Sequence, residues 1–357
     1  MSYRKKAALA ACALMVAVPA SASAATRSVD MGTPPTGSAT KSLGKLGADV
    51  NAFFPSTTTI HVGDSVRFLP VGFHNLDLPK KGGAPTALFA PAGTIAGLND
   101  PAGAPFWFNG QANLQFNLPA LAPAGFGKKF TYTGAKGVQS GLPLAPKPKP
   151  VTVKFAKSGS FTYYCDIHPG MKATVRVRAR SRSIPSAKAH AKLIKDQASR
   201  ALATAKKLAK VKPPANTVDL GVAGGGGVEI FAMVPAATTV PVGTTVNFRM
   251  TSGTREVHTA TFGPGNIEDP NSFIGKIAKS FEGPAVDQSG MYPSDPPGTV
   301  ASVSPTLHGN GFWNSGALDG TNATPLPVAN QVKFGTPGTY TYYCLIHPFM
   351  KGTVTVQ

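Results

Sequence analysis

Two short segments of the chain carry the same metal-binding side chains at the same spacing. In each segment a Cys is followed three residues later by a His, and three residues after that by a Met. The two copies are Cys165, His168 and Met171, and Cys344, His347 and Met350. A thiolate, an imidazole and a thioether are soft or intermediate ligands, and a set of this kind favours copper over calcium or magnesium.

A further His precedes each segment at a large separation in sequence. His74 lies far upstream of Cys165, and His258 lies far upstream of Cys344. Two His, one Cys and a weakly bound Met form the ligand set of a blue-copper electron-transfer centre. Zinc is the alternative metal, but a thioether is a poor zinc ligand and only three good donors would remain in each half. His308 is the rival to His258 in the second half.

The segments around these ligands predict β-strands. Phe161, Tyr163 and Cys165 alternate along one face of a strand, so the thiol is expected where that strand ends. Pro169 stiffens the turn that follows, and a second strand begins near Thr174. With 39 Gly and 33 Pro in 357 residues, turns and short strands are favoured over helices.

The opening strands of the two halves also repeat. Matching residues are separated by a nearly constant offset, as seen in the pairs Pro55 and Pro235, Gly63 and Gly243, and Phe68 and Phe248. A constant offset at independent patterns indicates an internal duplication. Both halves have a long insert with a Phe-Trp pair, at Phe106 and Trp107 and at Phe312 and Trp313, which we expect to pack in the core.

The N-terminus is typical of a secretory signal peptide over residues 1 to 24. Basic residues begin at Arg4, an apolar run extends from Ala7 to Val18, and Ala22 and Ala24 form a small-residue cleavage site. Lipidation at Cys12 is an alternative, although Cys12 lies too early for an apolar region to precede it. The apolar run is too short to span a bilayer. Residues 25 to 46 are rich in Gly, Ser, Thr and Pro, which predicts a flexible tether.

More than half of the net charge of +19 lies in residues 176 to 212, which hold twelve Lys or Arg and a single acidic residue, Asp196. Residues 179 to 215, the linker between the halves, are rich in Lys, Arg and Ala, and Ser186 and Pro213 indicate a helix over about 186 to 210. We interpret this helix as a solvated, semi-rigid spacer, with membrane-surface binding as the alternative. Contact with an anionic cell surface is a possible role for the linker, whereas nucleic acid is a poor partner for an exported chain.

The segments 159 to 172 and 338 to 351 resemble the ligand loops of cupredoxins, the type 1 blue copper proteins of the plastocyanin and amicyanin group. Residues 342 to 350 are most similar to the short loop of amicyanin. The resemblance implies an all-β fold with two tandem Greek-key β-sandwich domains, over residues 47 to 178 and 216 to 357, joined by the basic helical linker. It also implies one copper per domain, cycling between Cu(I) and Cu(II), in two ligand sets. These sets are His74, Cys165, His168 and Met171, and His258, Cys344, His347 and Met350.

Two positions test that resemblance further. Asn75, which follows His74, matches the family pattern in which this Asn steadies the Cys strand. In the second half Thr259 occupies that place, so support for the second Cys strand is expected to be weaker. The long inserts depart from the family, so the surface around each copper is not implied.

The function expected from the sequence is single-electron transfer between redox partner proteins in the periplasm or at the cell surface. An extracytoplasmic copper carrier or storage protein is the alternative. Multicopper oxidases and copper nitrite reductases also stack cupredoxin modules, but a His lies beside their blue-copper Cys, where this chain has Tyr164 and Tyr343. The chain is therefore not expected to be an enzyme.

Overall fold

The computed structural model describes residues 24 to 321 and 324 to 357. The predicted signal peptide lies outside the described residues except for Ala24, and Cys12 lies outside them as well. The first half contains β1 (Thr26–Met31), α1 (Ser38–Lys45), β2 (Ala48–Val50), β3 (Phe53–Phe54), β4 (Thr57–His61), β5 (Ser65–Pro70), β6 (Asp77–Leu78), β7 (Phe89–Thr94), β8 (Ala112–Phe116), α2 (Leu118–Leu121), β9 (Lys129–Tyr132), β10 (Val138–Gln139), β11 (Val151–Phe155), β12 (Gly159–Tyr164) and β13 (Lys172–Arg178).

A long helix then leads into the second half. The elements are α3 (Ala187–Leu208), β14 (Thr217–Gly224), β15 (Val228–Val234), β16 (Ala237–Val240), β17 (Thr245–Arg249), β18 (Val257–His258), β19 (Thr261–Phe262), α4 (Phe273–Ser280), α5 (Gln288–Met291), β20 (Ser302–Val303), a 3₁₀ turn (Leu307–Gly309), β21 (Trp313–Asn314), β22 (Leu318–Asp319), β23 (Ala329–Phe334), β24 (Gly338–Tyr343) and β25 (Lys351–Val356). Within the described residues no helix is both long and apolar enough to cross a membrane.

Each half forms a sandwich of two sheets around its own core. In the first module the sheets have the orders β3-β1-β5-β11-β9 and β10-β6-β12-β13-β4. In the second module the sheets have the orders β2-β15-β14-β17-β23-β20 and β16-β25-β24-β19-β21, and the edge strand β2 comes from the first half of the chain. Alternating apolar residues of the facing strands fill each core, as Val66 and Phe68 of β5 and Val246 and Phe248 of β17 do. The predicted fold class, two tandem all-β sandwich modules with a helical connection, is confirmed.

The prediction of a flexible tether over residues 25 to 46 is wrong. Strand β1 pairs parallel with β5 and antiparallel with β3, and its Val29 and Met31 are fully buried in the first core. Leu43 of α1 is buried as well. The abundance of Gly, Ser, Thr and Pro concealed a short strand, because only two alternating apolar residues are needed to anchor it.

The linker helix begins and ends close to the predicted bounds, but it is not a solvated spacer. Ser186 accepts a hydrogen bond from the Ala189 backbone N–H, as expected for an N-cap. Ala198, Ala201 and Ala205 of the helix pack into a cluster that contains residues from both modules. This cluster includes Leu43, Ala48, Val50, Phe54, Ala198, Ala201, Ala205, Val228 and Ile230. Small Ala side chains let the helix lie close against these strands.

The two long inserts form a further apolar cluster with each other. Phe106 and Phe108 from the first insert pack with Phe312 from the second. The indole Nε1 of Trp107 donates a hydrogen bond to the carbonyl of Pro293 at 2.8 Å. Trp313 instead lies in the core of the second module. The Phe-Trp pairs thus pack largely as predicted, but the first pair joins the modules rather than filling one of them.

The modules also share a strand pairing with approximate two-fold symmetry. β2 of the first module pairs antiparallel with β15 of the second, with Val50 opposite Val228, Asp49 opposite Glu229 and Ala48 opposite Ile230. Residues 48 to 54 match strand β15 in the internal repeat, because Pro55 and Pro235 follow them at the offset that relates the two halves. Each of the segments 48–50 and 228–230 therefore pairs with its own repeat counterpart, as in an isologous dimer.

Candidate metal centres

The first centre lies where β12 ends. β6 begins three residues after His74 and pairs with β12 through Asp77 and Tyr164, which brings His74 to the end of the Cys165 strand. The Sγ atom of Cys165 lies 3.8 Å from Nδ1 of His74 and 3.3 Å from Nδ1 of His168. All three residues are buried. One donor atom from each lies within 4.8 Å of the others.

The second centre repeats this arrangement with different loops around it. β19 begins three residues after His258 and pairs with β24 through Thr261 and Tyr343. The Sγ atom of Cys344 lies 3.6 Å from Nδ1 of His258 and 3.7 Å from Nδ1 of His347. The two Nδ1 atoms are 3.1 Å apart. Both imidazoles therefore turn the same ring nitrogen toward the thiol, as in the first centre.

The two Met residues are placed by matching backbone hydrogen bonds. Cys165 N–H donates to the carbonyl of Met171 at 3.0 Å, and Cys344 N–H donates to the carbonyl of Met350 at 3.0 Å. In each turn the Met N–H donates to the carbonyl of the preceding His. Both Met side chains are buried in the same apolar clusters as the Cys. The ligand loops thus have one geometry, held between two strands.

The donor set fits a soft metal ion better than a purely structural role. Both Cys are free thiols rather than a disulfide, which removes the simplest alternative role for two cysteines. Three donor atoms converge in each buried centre, and a thiol with imidazole nitrogens suits Cu(I) or Cu(II). The structure therefore brings the predicted His and Cys residues together in two separate groups.

The residue after the first His supports the Cys strand in both modules. Oδ1 of Asn75 accepts a hydrogen bond from the Asp166 backbone N–H at 2.7 Å. In the second module, Oγ1 of Thr259 accepts the corresponding bond from Leu345 N–H at 2.8 Å. The expectation of weaker support in the second half is wrong, because a Thr hydroxyl replaces the Asn amide as the acceptor. The backbone N–H of Thr259 also points at Cys344 Sγ, at 3.4 Å.

The electrostatics of the second centre favour a thiolate. Burial alone would raise the pKa of Cys344, but hydrogen bonds and positive charge from His258 and His347 outweigh it and lower that pKa well below its ordinary value. Burial would lower the pKa of His258, but Cys344 and Glu229 raise it to about 10. A thiolate is the form that binds metal, whereas the raised pKa of His258 means that this ring must release a proton when an ion binds.

A buried carboxylate from the second module lies between the two centres. Oε1 of Glu256 is 3.0 Å from Nε2 of His168, and its Oε2 is 3.7 Å from Nε2 of His347. Asn51 of the first module donates to Oε1 through its amide at 2.9 Å. Burial would raise the pKa of Glu256, but His168, His347 and His258 outweigh this and lower it to about 2. Glu256 is therefore a carboxylate.

A second buried carboxylate contacts only one centre. Oε1 of Glu229 lies 2.9 Å from Nε2 of His258. A carboxylate on Nε2 holds the ring proton there and leaves the Nδ1 lone pair free for a metal. Glu229 and Glu256 together orient three of the four imidazoles in this way.

Neither Glu residue was predicted from the sequence. Glu256 lies two residues before His258, and in an extended segment residues i and i+2 share a face, so a local signal was present. Its contact with His168 depends on how the modules face each other, which local patterns do not specify. The remaining His residues lie elsewhere: His308 contacts Asp100 and Asp295, His61 contacts Asp64, and His190 contacts the carbonyl of Ser28.

Comparison with known proteins gives a local match in sequence. Amicyanin-alpha from Methylorubrum extorquens is 56% identical over 36 residues, which cover 9% of this chain and 30% of that relative. No protein-family model matches the chain. Similar solved structures include a reduced Cu(I) form of an amicyanin mutant at pH 4 and an oxidized amicyanin mutant, with TM-scores of 0.22 and 0.23. Each is 19% identical, and the alignment covers 42% of this chain and 89% of the other. The two centres are therefore assigned from their own geometry.

Proposed function

We propose that this chain is an exported, two-domain blue copper protein that transfers single electrons between redox partner proteins. Each module would bind one type 1 copper ion. The observation that carries the proposal is the duplicated convergence of one thiol and two Nδ1 atoms at the loop between two strands. The local identity to amicyanin-alpha supports the same assignment.

The proposed ligands are the two sets predicted from the sequence. His74, Cys165 and His168 would hold the first ion with Met171 as a weaker ligand, and His258, Cys344 and His347 would hold the second with Met350 as a weaker ligand. Copper would supply a one-electron couple between Cu(I) and Cu(II).

The protein's contribution is to keep the ligands still. Each Cys follows directly on a strand, each Met is held by backbone hydrogen bonds, and the His rings are oriented by carboxylates or packing. Both Cys and both upstream His are buried as well, whereas His347 is partly exposed. A site held in this way changes little in geometry when an electron arrives or leaves, which favours fast transfer.

Copper loading of single-site variants tests the proposal. The wild-type chain should bind about two copper ions and show the intense visible absorption of a Cu(II)–thiolate bond. Cys344→Ser should lose one ion and about half of that absorption, because the ligand that forms the coloured bond is removed. Cys165→Ser is the matched control and should lose the other half. Full absorption in both variants would contradict the ligand assignment.

Retention of the metal separates an electron carrier from a copper carrier or storage protein. Buried ligands favour retention, because exchange requires the loop to open. The loaded protein should cycle between an added reductant and oxidant in the presence of a mild chelator without losing copper. It should also turn over no substrate without a partner protein, in contrast to a copper oxidase or nitrite reductase.

A further inference from the structure

We propose that Glu256 couples the two metal centres, so that electrons pass between the modules inside one chain. This inference rests on the proposed function. The inference is based on the positions of His168 and His347, which lie in the two ligand loops. In the structure both rings turn Nε2 toward the same carboxylate, at 3.0 and 3.7 Å.

The contacts form a continuous chain of groups between the two thiols. Cys165 Sγ contacts Nδ1 of His168, and the opposite nitrogen of that ring contacts Glu256. On the other side Glu256 faces Nε2 of His347, whose Nδ1 faces Cys344 Sγ. The groups between the two thiols are two imidazole rings and one carboxylate, and each contact between neighbouring groups is shorter than 4 Å. Among the hydrogen bonds and ion pairs found within the described residues, only the side chain of Glu256 contacts proposed ligands of both modules.

The bridging carboxylate is held rigidly by both modules. Asn51 donates to Oε1, and the Asn51 backbone N–H donates to the carbonyl of Gly227 in the second module at 2.8 Å. The guanidinium of Arg255, next to Glu256 in the chain, donates to the carbonyl of Asn51. Residues on both sides of the strand pair β2 and β15 therefore fix the position of Glu256.

The charge of Glu256 acts on both centres. A carboxylate that is about nine-tenths buried interacts more strongly with nearby charges than one in water. An oxidised centre carries one more positive charge than a reduced one, so this carboxylate stabilises the oxidised form of each. In the coupled step one electron leaves the reduced module and enters the oxidised module. No bond is broken, and the proton on each Nε2 stays in place.

The test compares two substitutions that differ only in which centres they touch. Glu256→Gln keeps the size of the side chain and removes the charge between the modules. We expect both reduction potentials to rise and electron exchange within the chain to slow by about tenfold, the lower end of the loss in activity that follows removal of a supporting contact at a metal site. Glu229→Gln is the control. It contacts His258 alone, so only the second centre should change its potential.

Three measurements are needed. Redox titration of both variants, each also in the Cys165→Ser and Cys344→Ser backgrounds, gives the potential of each centre. Flash photoreduction of half-oxidised protein gives the exchange rate, which is independent of protein concentration if the transfer is internal. NMR of the diamagnetic Cu(I) protein should show slowly exchanging Nε2–H protons on both His168 and His347, and both should shift in Glu256→Gln.

The outcomes separate the two proposals. A wild-type chain that binds no copper would overturn the proposed function. If two coppers bind and Glu256→Gln leaves both potentials, the exchange rate and both ring N–H signals unchanged, the bridge is wrong and the proposed function remains. A shift at only one centre would also contradict the bridge, because it would make Glu256 equivalent to Glu229.

Discussion

At the residue scale, the two centres show one function carried out by different side chains. The Cys strand is tied to the residue after the first His by Asn75 in one module and by Thr259 in the other. What the position requires is a short side chain with an acceptor oxygen, because it must receive one backbone N–H. Asn and Thr both satisfy that requirement.

Removing this acceptor should weaken the second centre alone. Thr259→Val keeps the shape of the side chain and leaves the buried Leu345 N–H without its partner, at a cost of about 1–2 kcal/mol. We expect lower stability in urea unfolding and a changed visible spectrum when the variant is measured in the Cys165→Ser background. Thr259→Ser keeps the hydroxyl and should restore both properties. A spectrum unaffected by Thr259→Val would show that the bond does not support the Cys strand.

The ligands could be predicted from the sequence because their spacing is local and occurs twice. Cys, His and Met lie within seven residues, and strand alternation places the Cys. The two carboxylates could not be predicted, since their partners come from distant segments: Glu256 meets His168 only across the two modules. Local sequence patterns indicate which face of a strand or helix a residue occupies, but they do not indicate which distant segment packs against that face.

At the element scale, helix α3 shows the same limit. Its cap and its end could be predicted from Ser186 and the prolines that follow, since helix ends depend on nearby residues. Its buried face was misjudged because Ala contributes weakly to a hydrophobic stripe. The packing partners Leu43, Phe54 and Val228 are far away in sequence.

Two Ala residues of α3 provide a matched test of this packing. Ala205 is fully buried against strands of both modules, whereas Ala203 is exposed on the same helix. Ala205→Glu should reduce the free energy of unfolding by about 2 kcal/mol or more, because a charge is forced into an apolar contact. Ala203→Glu should change it by less than about 0.5 kcal/mol. Equal effects in urea unfolding would indicate that α3 is the solvated spacer expected from its composition.

At the scale of the whole molecule, the inserts join the modules through a pH-sensitive contact. His308 of the second insert lies 3.0 Å from Asp100 of the first and 3.6 Å from Asp295. The nearby carboxylate of Asp295 is the main cause that raises the pKa of His308. Partial burial opposes it, and Asp100 adds to it. The folded chain therefore holds this proton more tightly than the unfolded chain does.

The stabilisation from His308 should be present at acid pH and lost at alkaline pH. It is complete below the unfolded pKa, near 6.5, and disappears as pH rises through the higher folded value. His308→Gln should therefore lower the free energy of unfolding by about 1 kcal/mol at pH 5.5 and by much less at pH 9. Urea unfolding of both proteins at each pH measures the difference. A constant difference would show that the imidazole charge is not involved.

The strand pair β2 and β15 brings two like-charged side chains face to face at its centre, Asp49 opposite Glu229. Directly opposed carboxylates repel each other unless each finds its own counter-group. Thr33 donates a hydrogen bond to Asp49, and the imidazole of His258 contacts Glu229 as its counter-group. A ligand of the second centre thus also neutralises the seam along which the halves are joined. Replacing His258 would therefore disturb the seam as well as the second metal pocket, because one imidazole serves both.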